Sequence, residues 1–190
     1  ALTVYGDLDI SLMKGRPPGR KPVQTLCYND EKRQAVYEGL LRQVQEGRQA
    51  YVVCPLIEES EALQVRSAES VYEELSSGVL RGVACALLHG RLKNAEKEAI
   101  MADFAAGKIK VLVSTTVIEV GVNVPNATLM VIENAERFGL AQLHQLRGRV
   151  GRGVQQSYCV LLAGADAPEA LARLQVLRDS EDGFYSVSYT

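Results

Sequence analysis

The chain has 190 residues, 47% of them hydrophobic and 23% charged, with 16 glycines, which suits one globular domain with a substantial core and excludes the disordered and fibrous classes. A formal net charge of −2 excludes a protein that coats nucleic acid by bulk electrostatics, so any anion site has to be local. Four widely spaced cysteines form no C-x-x-C pair and have only two histidines to join them, which argues against a metal site.

Cys54, Cys85 and Cys159 each lie in an apolar run and read as buried, reduced thiols of a cytoplasmic protein. No segment approaches the roughly 18 apolar residues of a membrane span, and the start of the chain lacks the layout of a signal peptide. With Ala1 in place of a methionine, the sequence reads as a piece of something longer.

Residues 14–22, KGRPPGRKP, hold three prolines, two glycines and four basic residues, which forbids a helix and keeps the segment in water. The segment is read as a linker or an exposed loop. Beyond it, short apolar runs alternate with helical patterns. The runs are 23–28, 50–55, 83–88, 111–114, 129–133 and 157–163; the helical patterns are 31–46, 60–77, 94–106, 139–147 and 168–179. Nearly continuous apolar runs joined by helix-length connections predict strands buried on both faces and linked by parallel crossovers. The expected fold is an α/β domain over 23–164 with a mainly parallel central sheet flanked by helices, followed by one more helical pattern.

Ligands of open parallel sheets bind outside the carboxyl ends of the strands, which directs attention to the residues just after each run. After 83–88 come His89 and Arg91, with a structural histidine as the plain alternative. After 111–113 come Ser114, Thr115 and Thr116, whose hydroxyls fit phosphate oxygens or a helix cap equally well. Further on lies QLHQLRGRVGRG, residues 142–153, with three arginines within six residues. Continued as one helix, it puts Gln145, Arg149 and Arg152 on one face and Leu143, Leu146 and Val150 on the other. Arginine's fixed fork of donors suits phosphate, and its charge does not titrate away. The same pattern also fits a solvated basic face paired with acids such as Glu133 and Glu136.

Absences complete the reading. Gly107-Lys108 is followed by Ile109 and has no glycine five residues earlier, so these residues contain no phosphate-cradling G-x-x-x-x-G-K-[ST] loop. No expected strand ends in a pair of magnesium-binding acids. Phosphate-facing arginines without the loop or the metal site describe half of a phosphoryl-transfer machine.

STTVIEVGVNVP (114–125) followed by FGLAQLHQLRGRVGRG (138–153) resembles motifs V and VI of the superfamily 2 helicases. With PLIEES upstream and RLQVLRDSEDGF downstream, the sequence is similar to the bacterial RecG family over almost the whole chain. The transcription-repair coupling factors share FGLAQLHQLRGRVGR nearly verbatim, whereas PLIEES and TTVIEVGV favour the RecG family.

The resemblance implies a RecA-like domain of the P-loop NTPase type, the second of two in an ATP-dependent DNA helicase acting on forks and Holliday junctions in repair and recombination. It implies ATP and Mg2+ bound mainly by a first motor domain, and a wedge domain gripping branched DNA. On the same ground 1–22 would be the linker that leaves that first domain, and 165–190 would begin a helical hairpin. It implies that Arg149 and Arg152 reach the nucleotide, Arg152 as arginine finger, with Gln145, Gly121 and Asn123 in the same cleft. Thr115 and Thr116 would contact DNA, and His89 and Arg91 would lie near it. Asn123 departs from the family's usual aspartate. The tail stops before the arginine-glycine segment that follows the hairpin, where Arg173 and Arg178 belong and where Leu171, Leu174 and Leu177 form an ordinary core stripe. From another class, a nucleic-acid-binding module without motor action also fits the Arg-Gly cluster.

Overall fold

The computed structural model describes residues 21–55, 61–115, 123–164 and 169–179. Six strands form one sheet: β1 (Gln24–Tyr28), β2 (Gln49–Val53), β3 (Cys85–Leu88), β4 (Val111–Ser114), β5 (Ala127–Ile132) and β6 (Tyr158–Leu162). Between and after them lie α1 (Arg33–Gln45), α2 (Glu61–Ser77), α3 (Asn94–Ala105), α4 (Leu140–Arg147) and α5 (Ala170–Asp179). Short 3-10 turns at Asp30–Lys32 and Ala135–Arg137 lead into α1 and α4. Every expected strand and helix that lies among the described residues is present, with ends shifted by a few residues.

The sheet order is β1-β6-β5-β2-β4-β3, and every pairing is parallel. The sheet is thus parallel throughout the described residues, not merely in the main. β2, β4 and β5 are buried at every position, as central strands covered on both faces must be.

Alternate residues of each strand feed two cores. Tyr51, Val53, Leu112, Met130, Ile132, Cys159 and Leu161 pack on the side of Phe104, Leu143 and Leu174, that is, beneath α3, α4 and α5. Ala50, Val52, Val111, Val113, Leu129, Val131, Val160 and Leu162 face Tyr37, Leu40, Ala68 and Leu75 of α1 and α2. Leu171 and Leu174 do face the first core; the side chain of Leu177 is outside the described residues.

Parallel topology has a geometric consequence. Each helix carries the chain from the carboxyl edge of the sheet back to the amino edge. Residues that follow a strand therefore gather at one edge, and residues that follow a helix and precede a strand gather at the other.

Candidate functional site

The residues proposed from sequence divide between these two edges. His89 and Thr115 lie at the carboxyl edge, next to each other through the strands that carry them. The Thr115 N–H donates to the Leu88 carbonyl at 3.1 Å, one residue before His89. The His89 Nδ1 accepts from the Arg91 N–H at 3.1 Å, and the Arg91 side chain is exposed. Thr115 is only 1% exposed, and its hydroxyl has no hydrogen-bond partner among the described residues. Thr116 and Gly121 lie outside the described residues, as does most of PLIEES.

The arginine cluster lies at the opposite edge, not at the carboxyl ends where parallel-sheet ligands were expected. Its helix is also shorter than the pattern of 142–153 suggests. α4 starts with the Gly139 N–H satisfied by Gln142 Oε1 at 3.1 Å, and it ends at Arg147. Gly148 caps it, donating its N–H to the His144 carbonyl at 3.0 Å, and Gly151 takes a φ of +79°, which a helix cannot continue through. Arg149 and Arg152 therefore project from a loop, while Gln145 remains on the helix with its side chain exposed.

That loop is held by its neighbours at the amino edge. The Gly151 N–H donates to Ser157 Oγ at 3.1 Å, just before β6. A Cβ at Gly151 would lie 2.5 Å from Val23 Cγ2, and one at Gly153 would lie 2.9 Å from the Pro125 carbonyl oxygen. The glycines are thus there for close backbone approach. The approach brings the loop against Pro125, at the entry to the adjacent strand β5, two residues after the exposed Asn123.

The three arginines have different environments. Arg147 is 6% exposed; its Nη1 donates to Thr25 Oγ1 at 3.2 Å and its Nη2 lies 2.8 Å from His144 Nδ1. Arg152 is exposed, and its Nε donates to the Gly148 carbonyl at 3.0 Å, which braces the near side of the guanidinium. Among the described residues no carboxylate forms an ion pair with Arg149 or Arg152.

The acids proposed as internal partners are engaged elsewhere. Glu133 accepts from Arg33 Nε at 2.9 Å and from the Tyr37 hydroxyl, and Arg33 also bonds Glu74 at 2.5 Å. Glu136 accepts from the Gly164 N–H at 2.8 Å. The reading of Arg149 and Arg152 as partners of these two acids therefore fails.

Beneath the loop lies a residue that sequence reasoning missed. Tyr51, in the middle of β2, is buried with its ring 5.0 Å from that of Phe104 and in one cluster with Val124 and Val150, neighbours of Asn123 and Arg149. Burial raises the Tyr51 phenol above its usual range, and the positive charges of Arg149 and Arg152 pull it back down. The sequence separates Tyr51 from these arginines by about a hundred positions, so no local spacing signals the association.

The donor set of the amino edge is two guanidiniums, a glutamine and an asparagine. It fits the phosphates of a nucleotide and not a divalent cation, and among the described residues no group of His, Cys, Asp and Glu is placed to hold a metal ion. Among those residues no helix is long and apolar enough to cross a membrane.

Among the described residues, then, an all-parallel sheet of the α/β class carries at its amino edge an arginine pair with no carboxylate partner. The chain belongs to the helicase conserved C-terminal domain family, whose pattern matches residues 31–154. It is 55% identical over 186 residues to the ATP-dependent DNA helicase RecG of Escherichia coli K12, covering 97% of this chain and 27% of that protein. It is 52% identical over 189 residues to RecG of Thermotoga maritima, covering 100% and 24% respectively. A solved structure of RecG bound to a three-way DNA junction matches with a TM-score of 0.77 and 49% identity, over 92% of this chain and 22% of that one. The second domain of the DEAD-box helicase Mss116p bound to an RNA duplex matches with a TM-score of 0.63 at 18% identity, over 80% of this chain and 58% of that one, which shows the fold. The chain spans about a quarter of the length of these curated relatives.

Proposed function

We propose that the chain is the second motor domain of an ATP-dependent double-stranded DNA helicase that remodels stalled forks and Holliday junctions in repair and recombination. The observation that carries this reading is the pair Arg149 and Arg152, without a carboxylate partner among the described residues and on a loop whose glycines approach Val23 and Pro125 closely, in a chain about half identical to RecG helicases. The similarity to RecG, over nearly the whole chain, favours this reading over the transcription-repair coupling factor.

In this reading the other partners are a first RecA-like domain, a wedge domain and branched DNA, in the cytoplasm. ATP with Mg2+, held mainly by the first domain, supplies the phosphoryl group that is transferred. Arg149 and Arg152 bring positive charge to the phosphates from across the cleft, Arg152 as the arginine finger, and stabilise charge as it builds there. Gln145, Gly121 and Asn123 line the same cleft, with Asn123 keeping an acceptor where the family has a carboxylate. His89 and Arg91, at the opposite edge, face DNA phosphates, and Thr115 and Thr116 are assigned to the DNA contact from their motif, Thr115 by way of the backbone that ends β4 because its side chain is buried. Because nucleotide and DNA meet opposite ends of the same parallel strands, closure of the cleft at one end shifts the grip at the other.

The test is DNA-stimulated ATP hydrolysis by a protein of the relatives' full length bearing Arg152→Ala, with three-way-junction binding and melting temperature measured on the same sample. Hydrolysis is expected to collapse by a factor on the order of 10³ or more, with binding and folding retained. If hydrolysis survives, the finger assignment is wrong. Loss of junction binding would then favour a binding module, whose affinity would fall steeply with salt and ignore nucleotide. The purified 190-residue chain is expected to release no phosphate from ATP, since its sequence has no phosphate-cradling loop. Steady release by that chain would refute the proposal.

A further inference from the structure

We infer that Gln49 and Asn126 are positioning residues of the arginine site: their side-chain amides fix the entry to β5 as the wall on which the loop bearing Arg149 and Arg152 is seated. The inference rests on the proposed function above, because it assigns a task within that same site.

Gln49 opens β2 and is only 2% exposed, yet both ends of its amide are engaged. Its Nε2 donates to the Phe104 carbonyl at 2.6 Å and to the Ile109 carbonyl at 2.8 Å, which holds the end of α3 and the turn before β4. Its Oε1 accepts from Asn126 Nδ2 at 3.1 Å. The same Nδ2 donates to the Gly47 carbonyl at 2.8 Å, and Asn126 Oδ1 lies 3.5 Å from Arg48 Nη1. In the main chain the Gln49 N–H donates to the Asn126 carbonyl at 3.0 Å. Two amides thus tie the turns before β2, β4 and β5 into one frame.

One peptide bond separates this frame from the arginine loop's support. Asn126 follows Pro125, whose carbonyl oxygen lies 2.9 Å from where a Cβ at Gly153 would stand, next to Arg152. The two backbones leave no room for a side chain between them. A shift of the β5 entry therefore displaces the surface on which the loop rests.

The strand ladder is irregular at this same point. Gln49 pairs with Ala127 and Ala50 with Leu129, so Thr128 is an extra residue at the start of β5, and its buried hydroxyl has no partner among the described residues. A bulge and a bare buried hydroxyl both cost stability, and a bulge re-aims the chain beside it. An apolar side chain at position 49 would fill the space without setting where Asn126 stands. The amide pair fixes a distance and a direction, which is what presenting two guanidiniums to a phosphate requires.

The experiment uses a protein of the relatives' full length and compares Asn126→Ala, Gly153→Ala, their combination and Arg152→Ala. Asn126 is half-buried, and its truncation leaves the Gln49 bonds to Phe104 and Ile109 in place. For Asn126→Ala, kcat of DNA-stimulated ATP hydrolysis is expected to fall roughly tenfold or more, with KM for ATP changing less than about twofold, as displacement of a reacting group predicts. Three-way-junction binding stays as in the parent protein, because His89 and Arg91 lie at the other edge. In the Gly153→Ala background, Asn126→Ala is expected to cost less than about a further twofold, because the contact it sets is already broken. Asn126→Asp, which keeps the size and Oδ1 but cannot donate to Gly47 or Gln49, is expected to show the same loss of kcat. Tyr37→Phe, which removes a bond to Glu133 at the carboxyl edge, is the stability control and is expected to lower melting temperature without that loss.

Unchanged kcat in Asn126→Ala or in Asn126→Asp, an equal loss in Tyr37→Phe, or an undiminished Asn126→Ala effect in the Gly153→Ala background each overturns the inference. Those results leave the proposed function standing as long as Arg152→Ala alone abolishes hydrolysis. If Arg152→Ala leaves hydrolysis intact, the proposed function and this inference fail together.

Discussion

Arg147 donates from Nη1 to the Thr25 hydroxyl at 3.2 Å, tying the last residue of α4 to the second residue of β1. The first arginine of the cluster is thereby a structural residue, buried beside Cys159, while the other two serve the surface. Arg147→Met should destabilise the domain by about 2–4 kcal/mol, because Thr25 and His144 lose a buried partner. Arg152→Ala should stay within about 0.5 kcal/mol, as exposed substitutions do. Urea denaturation of the three proteins checks this, and equal midpoints for the two variants would contradict the division.

Gly151 and Gly153 should separate stability from activity. Gly151→Ala combines a left-handed backbone at φ +79° with a contact of 2.5 Å to Val23 Cγ2, so a loss of about 1–3 kcal/mol is expected. At Gly153 the close neighbour is the Pro125 carbonyl oxygen, and φ is not positive. Gly153→Ala should therefore cost less stability while pushing the arginine loop away from residues 123–125. In a full-length protein its ATP hydrolysis should drop roughly tenfold or more, since displacements of this size misplace reacting groups. Calorimetry and steady-state kinetics on the same preparations decide the point.

The Glu133 network fastens α1 to the carboxyl edge of β5. Arg33, Tyr37 and Glu74 all take part, with Arg33 also stacked 5.0 Å over the Tyr37 ring. Glu133→Gln should cost about 1–3 kcal/mol and Tyr37→Phe about 1 kcal/mol, the former larger because it removes the buried charge that Arg33 answers. A double-mutant cycle should find the two non-additive by about 0.5 kcal/mol or more. Strict additivity would mean that the two groups act separately.

All four thiols are free, and burial pushes each of them up: Cys54 and Cys159 to about 12, Cys27 and Cys85 to about 11. Their folded values lie above the unfolded value near 9, so their contribution is intact below about pH 9. It is lost as the pH rises from there through 11 and then 12, because only the unfolded chain ionises. Each ionised thiol should remove about 1.4 kcal/mol per pH unit in that window. Urea midpoints measured from pH 8 to 11 should fall with a slope that Cys54→Ala reduces. At pH 8 iodoacetamide should label the half-buried Cys27 and Cys85 before the buried Cys54 and Cys159.

Much of this protein is determined by the sequence alone. Apolar runs such as VLVS and TLMVI can be buried on both faces only in a covered parallel sheet, and the helix-length spacers between them leave few other topologies. The chemistry of the arginine segment is likewise local, because a guanidinium's charge and shape do not depend on the fold. Tertiary structure alone decided where that chemistry stands. Gly148 ends α4 before Arg149, and the return of each helix to the amino edge carries Arg149 and Arg152 away from the carboxyl ends where ligands of such sheets were sought. It also separated Arg147 from its two neighbours by burial. The physical reason is that a residue's type and immediate spacing are one-dimensional, whereas burial, partner choice and the edge a loop occupies depend on pairings between distant strands.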